Sequence, residues 1–312
     1  LRERSPREGF ESREARGRAL GREFREMALK LRVAGVPEHF NAPWHIAKKK
    51  GLFEQAGVDV TWTDYPGGTG AMAKALNEGE TDVAVILTEG IVKDIACGGK
   101  SKIVGVYVKS PLCWGCHTGA GQSDVQDVKD LDGKVWAVSR MTSGSHLMAV
   151  VLAEKMGWDP KTLKYEIVGS LDGAKEALTK GTANGFLWEK FTTKPHVDSG
   201  VMRRVGEIPT PWPCFVIAVR NEVIEAYGPK IKAMLQVLGG VCSEFKNDAA
   251  SPAYVAEEYK LKPEDAAEWF KTVEWSCSTE QPAGVLEQVG TTLTNLSILD
   301  QVPDPATLWA QL

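Results

Sequence analysis

The chain has 312 residues, of which 43% are hydrophobic and 25% are charged, a composition typical of globular proteins and unlike disordered or fibrous chains. No apolar run approaches the ~20 residues that a membrane-spanning helix needs, so membrane insertion is not predicted. A net charge of -4 supplies no strong positive field, which argues against nucleic acid as a partner. Six cysteines are too few for a disulfide-built fold, and this length predicts two lobes.

The first 26 residues differ in composition from the rest. They contain eight arginines and six glutamates, with no apolar segment of the secretory type. We therefore expect residues 1–26 to form a disordered extension outside the fold; the alternative is an arginine-rich arm that docks on a partner. With no secretory signal visible, the sequence favours a cytoplasmic location, or a periplasmic one if a leader has been removed.

Strands and helices alternate along the first two thirds of the chain. Apolar runs predict strands at 31–35, 58–62, 82–87, 102–108, 134–138, 165–168, 185–188 and 215–219. Capping and glycine signals predict helices between Asn41 and Gly51, over 71–78 after Thr69, near 145–156 and over 172–180. Five further helices are predicted at 221–227, 229–245, 252–259, 263–273 and roughly 283–299.

This order predicts right-handed βαβ units in an α/β fold. The helix-to-strand segment at 79–87 is echoed at 181–188, which indicates two similar lobes, each a mostly parallel sheet flanked by helices. Crossing hinge strands are expected near 109–118 and 206–216. The predicted division assigns residues 27–112 and 214–312 to lobe I and residues 113–213 to lobe II.

Several sequence runs resemble a known family. The run Ala-Lys-Lys-Lys-Gly-Leu-Phe-Glu-Gln-Ala-Gly-Val-Asp-Val at 47–60 resembles a segment of periplasmic-type solute-binding proteins, in the branch of sulfonate and taurine receptors and thiamine-pyrimidine proteins. Runs at 67–70, 75–84, 131–138 and 177–183 support this likeness. Segments 38–40, 139–146 and 188–194 resemble a subgroup that also occurs in fungi. The resemblance implies a type II periplasmic binding protein fold whose two lobes close over a small molecule.

In open α/β sheets the ligand lies beyond the carboxyl ends of the strands, beside helix N-termini. That rule selects eighteen candidate ligand-binding residues: His39, Phe40, Asn41, Trp44, Tyr65, Gly68, Thr69, Thr88, Glu89, Thr142, Ser143, Gly144, Ser145, His146, Trp188, Glu189, Thr192 and Trp212.

The candidate residues favour a small polar ligand that is planar or anionic. Helix-start amides and hydroxyls suit an anionic group, and the aromatic side chains could contact a planar ring. Glu89 and Glu189 follow strands at matching places in the two lobes, so a paired acid could instead bind an amine or a ring nitrogen. The alternative for the aromatics is a place in the core, and for the serines and threonines a role in helix capping.

The sharpest local motif is Cys113-Trp-Gly-Cys116-His117. The pattern C-x-x-C-H is the attachment signature of c-type haem, and C-x-x-C is also a redox or zinc half-site. In an extended crossing strand the two cysteines point to opposite faces, and no second cysteine pair has matching spacing. We therefore predict structural thiols, no metal site and no cofactor.

The sequence thus predicts a monomeric, non-enzymatic solute-binding protein with no catalytic residues. A transport permease as partner is left open. The runner-up is a thiamine-pyrimidine-synthesis-like enzyme on the same fold, which the resemblance implies, although the cysteine-rich motif of those enzymes is not reproduced here. A thiol or haem redox protein is the third candidate.

Overall fold

The computed structural model describes residues 28–312, so the predicted extension over residues 1–26 lies outside the described part of the chain. Within that part the strands are β1 (Leu29–Gly35), β2 (Val58–Asp64), β3 (Val83–Leu87), β4 (Ser101–Val108), β5 (Cys113–Gly119), β6 (Val135–Val138), β7 (Lys164–Ile167), β8 (Gly185–Glu189), β9 (Met202–Pro209), β10 (Phe215–Arg220) and β11 (Trp275–Ser278).

The α-helices of the same residues are α1 (Ala42–Lys49), α2 (Leu52–Gln55), α3 (Thr69–Glu78), α4 (Thr88–Ala96), α5 (Gly144–Met156), α6 (Leu171–Lys180), α7 (Lys194–Asp198), α8 (Asn221–Asn247), α9 (Ser251–Glu258), α10 (Pro263–Thr272), α11 (Val285–Asn295) and α12 (Pro305–Leu308). Short 3₁₀ turns lie at His39–Asn41, Val128–Leu131 and Pro160–Thr162.

The strands form two sheets. The first has the order β11-β4-β10-β3-β1-β2, and the second has the order β7-β6-β8-β5-β9. In the first sheet β1 pairs in parallel with β2 and β3, whereas β10 runs antiparallel between β3 and β4. In the second sheet β6 pairs in parallel with β7 and β8, whereas β5 runs antiparallel to β8 and β9. The predicted α/β architecture of two helix-flanked sheets is confirmed.

Both sheets are mixed, because antiparallel strands join the parallel set that was predicted in each. The strand that enters each sheet from the other one, β10 in the first sheet and β5 in the second, runs against its neighbours. The strands β9 and β11 were not predicted from the sequence, and β5 was predicted only as part of a crossing segment. Strands that run antiparallel to a parallel set begin at the edge where the parallel strands end, which brings their first residues to the same edge.

The chain passes between the sheets twice, from β4 to β5 and from β9 to β10. These two crossing segments are hydrogen-bonded to each other: Thr210 N–H donates to Leu112 O at 2.9 Å, and Cys214 N–H donates to Ser110 O at 3.2 Å. Leu112 N–H in turn donates to Thr210 Oγ1 at 3.0 Å. The crossing segments therefore form one hydrogen-bonded connection, while the exact lobe boundaries stay a prediction.

The core of the first sheet is dense in large side chains. All five residues of β3 are buried, as a strand covered on both faces requires. Trp44 and Trp269 are each 1% exposed and belong to the same apolar cluster as β3. Burial of this kind is the main favourable contribution to folding. Among residues 28–312, no helix combines the length and the apolar character needed to cross a membrane.

Of two predicted features of helix ends, the cap at Asn41 differs from the structure and the break near residue 227 agrees with it. Asn41 does not cap α1 through its side chain; its amide Nδ2 instead donates to Val36 O at 2.8 Å, which fixes the loop after β1. The two helices predicted at 221–227 and 229–245 are the two parts of α8, which non-helical torsion angles separate at Tyr227, two residues before Pro229. A proline inside a helix removes a backbone donor and disturbs the preceding turn, which explains the kink.

Candidate functional site

A cavity lies between the two sheets, with about 400 Å³ of empty space when its opening to solvent is included. Its walls combine the loops after β1, β2 and β3, the starts of β5 and β10, and the segments around β6 and β8. The lining residues are Val36, Glu38, Gly68, Thr69, Leu87, Leu112, Trp114, Ser139, Gly144, Ser145, Trp188, Glu189 and Phe215. Each sheet contributes to the lining, so the cavity is shared by both halves of the molecule.

Glu38 supplies a buried carboxyl group on the first-sheet side. Its side chain is held across the cavity by Trp188, whose Nε1–H donates to Glu38 Oε1 at 3.1 Å. Burial in a low-dielectric surrounding, together with the nearby charge of Glu189, raises the pKa of Glu38 to about 8. Without a compensating cation, this carboxyl group is therefore largely protonated at neutral pH.

Glu189 supplies a second buried carboxyl group, at the end of β8. Its Oε2 accepts the backbone N–H groups of Phe191 at 3.0 Å and Thr192 at 2.7 Å, and the hydroxyl of Thr192 at 2.9 Å. Burial raises the pKa of Glu189 to about 7, although these three hydrogen bonds favour the charged form. The loop after β8 thus fixes the carboxyl group through one oxygen.

His39 lies directly behind the two carboxyl groups. Its Nε2 is 3.8 Å from Glu189 Oε2 and has no hydrogen-bond partner among the described residues. The ring packs on Phe40 and against Trp269, and burial lowers the pKa of His39 to about 3. His39 is therefore neutral at physiological pH and does not offset the carboxyl charges. Within residues 28–312, no cluster of three histidine, cysteine, aspartate or glutamate side chains could hold a metal ion.

Aromatic side chains form much of the remaining wall. Trp114 near the start of β5 and Phe215 at the start of β10 both line the cavity. Trp188 is stacked on Phe186 with 5.5 Å between the ring centroids, which fixes the plane of the indole. The Nε1–H of Trp114 is buried and has no hydrogen-bond partner within the described part of the chain. The cavity therefore offers flat apolar surfaces together with one free donor.

Two helix starts also reach the cavity. Gly68 precedes α3 with φ of 68°, a conformation that favours glycine. At the start of α5, a Cβ on Gly144 would lie 2.6 Å from Leu87 Cδ1, so the close approach of the two halves requires glycine there. The serines nearby bond to each other: Ser145 Oγ accepts Ser139 N–H at 3.0 Å and lies 3.0 Å from Ser143 Oγ. Their hydroxyl groups are thus already engaged.

Six of the eighteen predicted residues line the cavity: Gly68, Thr69, Gly144, Ser145, Trp188 and Glu189. Whether they contact a ligand stays a prediction. The other twelve lie in three different places, each for an identifiable structural reason.

Thr88, Glu89 and Trp212 come together at the crossing segments. Thr88 Oγ1 donates to Pro213 O at 2.5 Å, and Trp212 Nε1–H donates to Glu89 Oε2 at 2.8 Å. Burial raises the pKa of Glu89 to about 7. These residues hold the start of α4 to the segment between β9 and β10, and they do not line the cavity.

A second group lies in the core or fixes the loop after β1. His39, Phe40 and Trp44 are buried against other aromatic rings, and Asn41 holds that loop through its bond to Val36. Phe40 and Trp44 therefore lie in the core, which was the alternative interpretation of the aromatic residues.

The third group supports the rim of the cavity: Tyr65, Thr142, Ser143, His146 and Thr192. Ser143 Oγ accepts His146 N–H as the N-cap of α5, so Ser143 caps a helix, as the alternative interpretation of the serines proposed. His146 packs against Tyr165, and its Nδ1 accepts Thr142 N–H at 3.2 Å. Thr192 acts through Glu189, and Tyr65 N–H donates to Gly35 O at 2.8 Å in the loop after β2.

Sequence analysis missed seven lining residues: Val36, Glu38, Leu87, Leu112, Trp114, Ser139 and Phe215. Glu38 lay next to the selected His39, and its position directly after a strand was the available signal. Trp114 lies within the C-x-x-C-H motif, which indicated a role for the cysteines and none for the tryptophan. Nothing in the local sequence marked Phe215.

The C-x-x-C-H motif forms β5. Cys113 Sγ donates to Glu207 Oε2 at 3.3 Å, whereas Cys116 is buried, so the two thiols do not meet. Burial raises the pKa of Cys113 to about 12, and His117 Nε2 lies 2.8 Å from the hydroxyl of Thr193 in the second-sheet interior. All six cysteines are free. The motif is thus an ordinary strand of the second sheet.

Comparisons with known proteins agree with this geometry. Residues 114–208 match the family model described as Ca3427-like PBP. The structure of the CA3427 gene product of Candida albicans, which defines a family with the generic periplasmic binding protein fold, superposes with a TM-score of 0.80 and 27% identity over 90% of this chain and 96% of that one.

Two bacterial binding proteins share the fold at lower identity. The alkanesulfonate-binding protein SsuA of Xanthomonas axonopodis pv. citri has a TM-score of 0.74 and 18% identity, covering 89% of this chain and 96% of its own. The nitrate-binding protein NrtA of Synechocystis PCC 6803 has a TM-score of 0.66 and 15% identity, covering 90% and 87%. The comparison with curated proteins gives no match. The chain therefore has the periplasmic binding protein fold, and its residues 114–208 are similar to the Ca3427-like proteins of that fold.

Proposed function

We propose that the protein binds a small solute, without chemical turnover, by closing its two lobes over the cavity between the sheets. The observation that carries this proposal is the cavity itself, which residues of both sheets line and which combines aromatic walls with two buried carboxyl groups. A mostly apolar wall with a few placed polar groups is the usual composition of such a site.

Contacts across the cavity support closure. Trp188 donates to Glu38 from the opposite sheet, and Arg140 Nη2 donates to Gly67 O at 2.9 Å just outside the cavity. Both bonds would have to break for the cavity to open, because their partners sit on different lobes of the predicted division. A hinge at the two crossing segments allows this movement with changes in only a few backbone torsions.

The proteins with known ligands that share this fold support binding as the activity. SsuA of Xanthomonas axonopodis is alkanesulfonate-binding and NrtA of Synechocystis is nitrate-binding, each with the same arrangement of two sheets. We therefore favour binding over the enzyme alternative.

Native mass spectrometry of gently purified full-length protein tests the proposal. We expect a retained small molecule in the wild type, its loss in Trp188→Ala, and its retention in Tyr227→Ala, an exposed aromatic that does not line the cavity. Small-angle scattering should show a larger radius of gyration once the ligand has been removed. A protein that carries no small molecule and keeps one compact shape under all conditions would contradict binding by closure.

A further inference from the structure

The charged groups of the cavity have one sign only. Its described lining contains the carboxyl groups of Glu38 and Glu189 and no lysine, arginine or histidine. A buried ionised carboxyl group costs several kcal/mol unless a partner compensates it. The protein itself therefore leaves this part of the cavity without a counter-charge.

Each carboxyl group is held through one oxygen and keeps the other free. Glu38 Oε1 accepts from Trp188, and Glu189 Oε2 accepts from the loop after β8. Within residues 28–312, Glu38 Oε2 and Glu189 Oε1 accept no hydrogen bond, although the two residues are only 7% and 3% exposed. Two oriented acceptors thus remain available in a cavity that largely excludes water.

The basic groups nearby are engaged elsewhere or uncharged. Lys190 Nζ lies 3.3 Å from Glu207 Oε2 and pairs with that carboxylate, and its charge on Glu189 leaves the pKa of Glu189 raised. Arg140 is bonded to Gly67 O, and the buried ring of His39 is neutral. None of these groups therefore neutralises the two cavity carboxyl groups.

We propose that the ligand is a small organic cation, whose protonated nitrogen donates to the free oxygens of Glu38 and Glu189 while its apolar part lies between the aromatic walls. The indole faces of Trp114 and Trp188 add to this preference, because a cation is attracted to an aromatic face. A ligand whose only charge is a sulfonate or carboxylate would instead find no cationic partner in the lining and would keep both carboxyl groups protonated. This inference rests on the proposed function and narrows the class of solute.

Binding of a cation should release protons from the two carboxyl groups. The two carboxyl groups have raised pKa values, about 8 for Glu38 and about 7 for Glu189; the titratable groups near Glu189 are Glu38, His39 and Lys190. An ammonium group brought between them lowers both pKa values, so protons leave the carboxyl groups for the buffer at pH 7. Each proton released stays in solution, and no covalent bond of the ligand changes.

Three probes of equal ring size test the charge preference: benzylammonium chloride, benzyl alcohol and sodium benzenesulfonate, at equal millimolar concentrations. We expect benzylammonium to raise the melting temperature of the ligand-stripped protein and the other two to leave it nearly unchanged. Calorimetry in two buffers of different ionisation enthalpy should detect proton release. Substitution of Glu38→Gln or Glu189→Gln should weaken benzylammonium about ten- to a hundredfold, and Glu225→Gln, at an exposed position, should not.

The possible outcomes separate this inference from the proposed function. If benzenesulfonate or benzyl alcohol binds as well as benzylammonium, and Trp188→Ala removes that binding, the cavity binds a solute but the cation assignment is wrong. If benzylammonium fails to bind, the cation assignment is also overturned. If, in addition, no small molecule is retained in the native mass spectrum, the proposed function fails with it.

Discussion

Trp188 of β8 and Glu38 after β1 are joined across the cavity by a hydrogen bond of 3.1 Å from the indole Nε1–H to the carboxyl Oε1. This bond links the second sheet to the first and also orients the carboxyl group, so that one oxygen is occupied and the other is free. The plane of the indole is itself fixed by stacking on Phe186. Closure of the lobes and orientation of Glu38 therefore depend on the same side chain.

Replacing Trp188 with phenylalanine keeps an aromatic wall and removes the donor. We expect Trp188→Phe to weaken ligand binding by about 1.5–3 kcal/mol, the range for a hydrogen bond to a charged group, with a smaller effect on unfolding. Calorimetry with the retained ligand or benzylammonium measures the first quantity and urea unfolding the second. Tyr227→Phe, at a residue that is 45% exposed, is the matched control. Unchanged affinity in Trp188→Phe would mean that the bond does not contribute to the bound state.

The buried carboxyl groups predict how stability depends on pH. Glu38, Glu89 and Glu189 bind protons more tightly in the folded chain, with pKa values of about 8, 7 and 7. The folded state therefore holds more protons than the unfolded state above pH 4.5, and stability falls as the pH rises towards 8. The five histidines act in the opposite sense, because burial lowers their pKa values; this effect is half complete at pH 6.5, the pKa of the unfolded chain, and fades about one pH unit above it. Between pH 6.5 and 8 the fall from the three carboxyl groups should therefore exceed the remaining rise from the histidines.

Urea unfolding of the ligand-stripped protein at pH 6.5 and at pH 8 measures this fall. We expect a loss of roughly 2 kcal/mol over that interval, from a limit of about 1.4 kcal/mol per pH unit for each carboxyl group. In Glu38→Gln the loss should be less than half as large, since the remaining raised pKa values lie near the middle of the interval. A wild-type stability that is flat or rising between these pH values would show that the carboxyl groups are compensated within the protein.

The hydroxyl group of Thr88 links α4 to the second crossing segment, and its contribution to the free energy of unfolding can be measured. Its hydroxyl donates to Pro213 O at 2.5 Å and the residue is fully buried, so Thr88→Val keeps the shape and removes the bond. We expect a loss of about 1–3 kcal/mol in unfolding free energy, because the carbonyl group loses a donor. Thr179→Val, on the exposed face of α6, should change stability by no more than about 0.5 kcal/mol. Equal effects of the two substitutions would show that this bond contributes little.

The burial of the thiol groups predicts how fast the cysteines of the C-x-x-C-H motif react. Cys97 is exposed, whereas Cys116, Cys214 and Cys242 are buried, and the pKa of Cys113 is raised to about 12 by burial. Since the thiolate is the reactive form, a disulfide reagent at pH 7.5 should modify Cys97 first and the motif slowly.

Six thiols should react after denaturation, and Cys97→Ser should remove the fast phase from the native protein. A fast phase that survives this substitution and disappears in Cys113→Ser would indicate a reactive motif instead. In the fold the close pair of sulfurs is Cys242 and Cys277, 3.2 Å apart, which the spacing in the sequence did not indicate.

The residues that could be predicted from the sequence are those that follow parallel strands. Gly68, Ser145 and Glu189 all come after such strands, and the rule for the carboxyl edge of a sheet found each of them. Trp114 and Phe215 lie near the starts of β5 and β10, which run antiparallel. Antiparallel strands begin at that same edge, so a rule built on parallel sheets could not select their first residues.

Trp44 was predicted as a ligand-binding residue because it follows a strand, but it lies in the core and not in the cavity. It lies one turn into α1, is 1% exposed, and packs on Phe53 and Tyr107 with ring centroids 5.3 and 6.4 Å away. We therefore expect Trp44→Ala to lower the unfolding free energy by about 3–5 kcal/mol, as large-to-small substitutions in a core do. Its affinity for ligand, measured by calorimetry under conditions where circular dichroism shows the variant folded, should stay within about twofold of the wild type, well inside 1.4 kcal/mol. Trp188→Ala, the matched cavity substitution, should show the reverse order of effects. A stable Trp44→Ala protein that has lost its ligand would place α1 in the binding site and would move the site away from Glu38 and Glu189.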